Sequence, residues 1–290
     1  MYLLLILSAL FSPLNSIGCK LNKTTSAGKF LSVSVLVCGA SIISWIICLI
    51  AKQVVTADMF IYALIFALLY LITTLATYLA YEKGSLTITT LFSNSSLVVI
   101  ILVSTLFFDE KLSPLIIVGI IGTLISLTLL TIPEKTPSKT VSFNFLWLFL
   151  CLCVLLGNSS LSLTVKFRQI NGGGANAFAF IALCYSFTFV FSILVYAISQ
   201  LKTRSLPTDF NVLRQNKLSL LLQIVGNSGS NLLVTFLSSR INASILYPVN
   251  MGIGLVLTVL CGFIFFKEKP TVKNIAGIVL GVVSLILLNL

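Results

Sequence analysis

Apolar runs of about 17 to 25 residues, each closed by a short polar stretch, occupy almost the whole chain. That is the length a helix needs to cross roughly 30 Å of hydrocarbon. Ten such runs lie near residues 2–19, 30–51, 59–81, 86–108, 114–132, 145–165, 175–199, 218–238, 243–266 and 272–290. No stretch between them is long enough for a soluble domain. The pattern predicts an all-α polytopic membrane protein with ten transmembrane helices. The opening run Tyr2 to Gly18 has no Lys or Arg before its apolar part and contains Pro13-Leu14-Asn15, so it reads as the first membrane helix, not as a secretory signal.

The polar punctuation repeats. Leu106-Phe107-Phe108-Asp109-Glu110-Lys111 is echoed by Ile264-Phe265-Phe266-Lys267-Glu268-Lys269, and one offset of about 158 residues superposes the flanking runs as well. The chain divides into residues 1–133, a linker at 134–144 carrying Pro137, and residues 145–290, with five predicted helices on either side. An odd number per half turns the second half upside down. Inverted repeats of this kind are a common plan of secondary transporters, with the substrate site at the midplane between halves.

Composition supports the bilayer. The chain of 290 residues is 58% hydrophobic and 9% charged, with a mean hydropathy of +1.13. Its 18 basic and 7 acidic residues give +11, and because these charges sit between apolar runs they speak for lipid headgroups and topology, not for nucleic acid. Thirteen of the basic residues fall in the loops after helices one, three, five, seven and nine, and five fall on the other face. By the positive-inside bias both termini lie together on the outer face. The seven cysteines sit in or beside apolar segments, there is no histidine, and Cys151-x-Cys153 lacks metal or redox spacing. No metal site, cofactor or catalytic constellation is expected, and hence no enzyme. Gly172-Gly173-Gly174 lacks the strand and helix of a nucleotide site and reads as a connector.

The hinges carry a resemblance. Phe108-Asp109-Glu110-Lys111-Leu112-Ser113 and Phe266-Lys267-Glu268-Lys269-Pro270-Thr271 are similar to the Phe/Leu-rich run, Gly-Glu-Lys and Leu-Ser start that mark the ten-helix, EamA-like branch of the drug/metabolite transporter superfamily. Asp109 and Lys267 stand where that branch has Gly. The Gly-rich starts Val118-Gly119-Ile120-Ile121-Gly122 and Ala276-Gly277-Ile278-Val279-Leu280-Gly281 resemble the branch too, as does Asn15 with Lys20, although the Trp-Gly before the Asn is replaced by Ser12-Pro13. The resemblance implies a carrier of small solutes with both termini in the cytoplasm, opposite to the charge bias. The four-helix multidrug exporters of the same superfamily carry an essential Glu in their first helix, and Tyr2 to Cys19 has none.

All seven acids fall at predicted helix ends or in loops, and Glu110 and Glu268 read as partners of helix N-termini. Uncharged polar residues are therefore the candidates for substrate contact. Gln223, Asn227 and Asn231 are spaced to share one helical face. Asn94 sits in a Ser-Asn-Ser-Ser run, Asn15 beside Pro13, Asn158 before two serines, and Tyr247 and Asn250 flank Pro248, which should bend its helix. Trp45, Tyr70, Tyr78 and Tyr185 are possible aromatic walls, and Tyr185 joins the substrate-binding set. Each of these could instead be interhelical glue worth ~0.6 kcal/mol. Gly277-x-x-x-Gly281 fits close helix packing within the bundle or a dimer contact. The expectation is a multi-pass carrier of the inner or plasma membrane, monomer or homodimer, whose partners are the lipid bilayer and a small-molecule substrate. A flippase for a lipid-linked sugar and a non-transporting scaffold remain the alternatives.

Overall fold

The structure is a computed structural model that describes residues 2–22, 26–108, 114–131, 145–171, 176–203, 211, 213–238, 243–266 and 272–287. The charged hinges, the linker and the triple glycine lie outside the described residues. Those described form helices and no strands. Eleven helices have nine residues or more: α1 (Tyr2–Leu21), α2 (Ser26–Ile50), α3 (Met59–Lys83), α4 (Leu86–Asn94), α5 (Ser96–Phe108), α6 (Pro114–Thr131), α7 (Phe145–Asn171), α8 (Ala177–Thr203), α9 (Lys217–Ser238), α10 (Ala243–Phe266) and α11 (Val272–Leu287).

Six of them, α1, α2, α3, α7, α8 and α9, contain stretches long and apolar enough to cross a membrane. Shorter apolar stretches run through Ile88–Val103, Ile253–Phe266 and Ile275–Ser284. The single helix expected over 86–108 is two helices meeting at Ser95. There the Ser95 N–H still reaches Leu91 O at 2.9 Å, but Val98 N turns back to Ser95 O at 3.1 Å, a tighter turn. The Ser95 hydroxyl also donates to Leu91 O at 2.8 Å. Short polar side chains that compete for backbone carbonyls in this way commonly bend a helix.

In lipid the helices gain little by hiding apolar surface from one another, so close packing and hydrogen bonds must hold them together. Accordingly the outward positions are large and apolar, as with Leu3 (80% exposed) and Ile50 (77% exposed), while serine, threonine and amides turn inward. α1 packs along α9 and α10, α3 along α7 and α8, α2 along α8 and α9, and α6 along α11. Phe180, Tyr185 and Leu36 centre the apolar core of α2, α3 and α8. Leu91, Leu97 and Leu255 hold α4, α5 and α10 together.

Glycines set the closest approaches. A Cβ on Gly226 would stand 2.5 Å from Asn15 N and 2.8 Å from Phe11 O, so α9 lies against the backbone of α1. In the α6 and α11 pair the contact is reciprocal: a Cβ on Gly122 would meet Ser284 Oγ at 2.2 Å, and one on Gly281 would meet Ser126 Oγ at 2.7 Å. The Gly277-x-x-x-Gly281 face therefore packs inside this chain, with Ser126 Oγ donating to Gly277 O at 2.6 Å.

Candidate functional site

A cavity of about 240 Å3 lies among α1, α2, α3, α4, α5, α7, α8, α9 and α10. Its wall is built mainly of amides and hydroxyls. Asn15, Asn94, Asn158, Asn227, Asn231 and Asn250 line it, so six of the nine sequence candidates come together at one place. Tyr70 is also on the wall.

Each amide is held by a specific neighbour. Asn158 Nδ2 donates to Ser93 Oγ at 2.7 Å, tying α7 to α4. Asn94 Nδ2 donates to Thr90 O at 2.9 Å within α4. Asn250 accepts from Ser8 Oγ at 2.8 Å, which links α10 to α1. On α9, Asn227 Nδ2 donates to Tyr70 OH at 2.6 Å and to Tyr185 OH at 3.1 Å. Asn231 Nδ2 donates to Tyr185 OH at 2.9 Å and to Asn227 Oδ1 at 2.8 Å. Buried polar groups in a bilayer need such partners, because no water is present to satisfy them.

Two of the remaining candidates lie off the wall. Gln223 shares its helical face with Asn227 and Asn231 but is fully buried beyond the wall. It accepts from Tyr78 OH, receives a long contact from Cys19 Sγ at 3.5 Å, and donates to Ser219 Oγ at 3.1 Å, thereby joining α1, α3 and α9. Tyr185 stands behind the wall and orients Asn227 and Asn231. Spacing told which side of α9 these residues share, but α9 faces α1 near Gln223 and the cavity a turn further on, and periodicity carries no such distinction. The Tyr247 side chain is outside the described residues; α10 runs helical through Pro248. Of the other aromatic candidates, Tyr78 is tied to Gln223 and Trp45 donates to Ser186 Oγ at 2.9 Å, away from the cavity.

The sequence reading passed over one wall. Thr73, Thr77 and Tyr81 of α3 line the cavity, and Tyr81 OH lies 3.3 Å from Ser16 Oγ and 3.0 Å from Thr90 Oγ1. They are spaced i, i+4, i+8, the signal that singled out the α9 stripe, and applying it to hydroxyls as well as amides would have found them. Arg168 is one of the five basic residues assigned by sequence to the other face, beyond the apolar run 145–165. It lies inside α7, 2% exposed, 3.7 Å from Asp58 and 5.3 Å from the Phe180 ring centre. At the opposite face Lys20 donates to Tyr81 O at 2.8 Å and to Gly84 O, and Lys29 pairs with Glu82. No wall residue carries a formal charge, and among the described residues no group of His, Cys, Asp and Glu could hold a metal.

Comparison with known proteins agrees with this architecture. Residues 210–281, roughly a quarter of the chain, match the family model described as Small Multidrug Resistance protein. No curated protein sequence matches the chain. A solved structure titled "Crystal structure of protein" is similar in fold, with a TM-score of 0.61 at 13% identity over 98% of this chain and 94% of that one. With its long apolar helices, the chain is a multi-pass helical membrane protein whose segment 210–281 is similar to a family of drug transporters.

Proposed function

We propose that the protein is a secondary transporter that moves a small polar or amphipathic solute by alternating access, built as ten membrane-crossing segments in two inverted five-segment halves. In this reading α4 and α5 together form the fourth crossing. The observation that carries it is the uncharged polar cavity enclosed by helices of both halves.

The packing supports the symmetry. Exchanging α1 with α7, α2 with α8, α3 with α9, the α4 and α5 pair with α10, and α6 with α11 turns the α1/α9 contact into α7/α3. It turns α1/α10 into the contacts of α7 with α4 and α5, and α2/α9 into α8/α3, and it returns α2/α8 and α6/α11 to themselves. Each of these pairs is in contact. The stripe Thr73, Thr77, Tyr81 on α3 and the stripe Gln223, Asn227, Asn231 on α9 belong to helices that exchange. A two-fold axis in the membrane plane accounts for this pattern. Ten crossings put both termini on one side of the membrane.

The reading is tested by screening purified protein against metabolite classes in a thermal-shift assay. A ligand at 100 times its Kd stabilises the native state by about 2.7 kcal/mol. The expected result is a saturable stabilisation by one class that disappears in Asn231→Leu. A ligand that stabilises wild type and Asn231→Leu equally would place binding outside the cavity and contradict the proposal.

A further inference from the structure

The carrier reading leaves the solute's chemistry open, and the bonds already made around the cavity narrow it. Asn94 and Asn158 each use one amide N–H, on Thr90 O and on Ser93 Oγ, and retain the other, while Asn231 spends its N–H groups on Tyr185 and Asn227. Their side-chain oxygens, on α4, α7 and α9, remain as acceptors. The oxygen of Asn15 lies 3.9 Å from Cys19 Sγ, whose S–H is closer to Gln223 Oε1, and that of Asn250 lies 2.8 Å from Ser8 Oγ, whose O–H also reaches Leu5 O at 2.7 Å; both amides keep their N–H groups, on α1 and α10, as donors. The wall therefore offers both acceptors and donors, from α1, α4, α7, α9 and α10, with no formal charge on any residue of it.

We propose that the cavity takes an uncharged polyhydroxylated solute, a polyol or monosaccharide; this rests on the carrier reading above. A hydroxyl both donates and accepts, so a molecule carrying several can meet both sets at once. A carboxylate would face amide oxygens and an ammonium would face amide N–H groups. Either would be buried without a counter-charge, which is costly. An apolar drug would leave the amides unpaired, the arrangement that polar sites reject most strongly. Size agrees, since about 240 Å3 falls below the ~300–1,000 Å3 of sites for drug-sized ligands.

The test uses the full chain in proteoliposomes. Entry of sorbitol and of glucose is read by light scattering as vesicles re-swell after a hyperosmotic shock, and uptake of radiolabelled leucine and choline is measured in the same preparation. The proposal expects sorbitol or glucose to enter about tenfold faster than in protein-free vesicles, with leucine and choline at background. Asn158→Asp, nearly the same shape but anionic, should abolish most of that entry; if it does not purify as a monodisperse protein, Asn158→Ser replaces it and should reduce entry severalfold. Polyol entry unaffected by the purified variant overturns the site. Movement of leucine or choline, alone or as fast as the polyols, overturns the solute class and leaves the carrier reading standing. A folded wild type that moves none of the four solutes removes the class, while the thermal-shift screen separately decides whether the cavity binds anything.

Discussion

Two amide residues on different helices can do different jobs. Gln223 of α9 is surrounded by protein on every side and satisfies Tyr78, whereas Asn158 of α7 lines the cavity and donates to one hydroxyl. Replacing a buried partner costs the desolvation of the group left behind, about 1–3 kcal/mol. Gln223→Leu is therefore expected to lower the melting temperature in detergent while ligand affinity in the surviving folded protein changes little. Asn158→Leu should keep most of its thermal stability and lose ligand binding by tenfold or more. Equal losses of stability in both would mean that Asn158 is structural glue. At this scale much of the site was legible: amides are conspicuous in apolar runs, and Asn15, Asn94, Asn158, Asn227, Asn231 and Asn250 line one cavity. Gln223 and Tyr185 stand off that wall, because facing depends on which neighbour a helix meets along its length.

Helices in this protein are positioned by what is absent from them. Gly226 lets α9 touch the backbone of α1, and there the obstacle to a Cβ is a main-chain nitrogen and a main-chain oxygen. Gly122 is different, since the nearest atom to its Cβ would be the movable Ser284 Oγ. Overpacking of this sort typically costs about 1–3 kcal/mol. Gly226→Ala and Gly122→Ala should both reduce stability, but adding Ser284→Ala should restore most of the loss only to Gly122→Ala. Chemical denaturation in mild detergent reads the difference, and failure of that rescue would show that the α6/α11 approach is set by something other than the glycine and serine pair. The six long apolar helices were legible because long apolar runs have one stable form in a bilayer. The break at Ser95 was hidden, because Ser93, Asn94, Ser95 and Ser96 are compatible with a continuous helix. What parts α4 from α5 is a tighter turn at Ser95, which composition does not encode. Arg168 was misplaced for a related reason: a charge beyond an apolar run looks like a loop, yet the helix continues and buries it beside Asp58 and Phe180.

For the whole molecule, the proposed inverted halves rest on packing. The helix contacts map onto one another when the proposed halves are exchanged, although the hinges themselves fall outside the described residues. In the proposed reading, an inverted pair of halves around a polar cavity would provide two equivalent arrangements of similar energy, one opening to each side, which is what alternating access requires. Ser93 sits on the cavity wall in α4, bonded to Asn158 of the other half. The direct test is to replace the seven native cysteines, introduce Ser93→Cys, and apply a membrane-impermeant thiol reagent from either side of sealed, uniformly oriented vesicles. The account predicts labelling from both sides, with saturating ligand protecting the thiol from each. Labelling from one side only, at every ligand concentration, would contradict it.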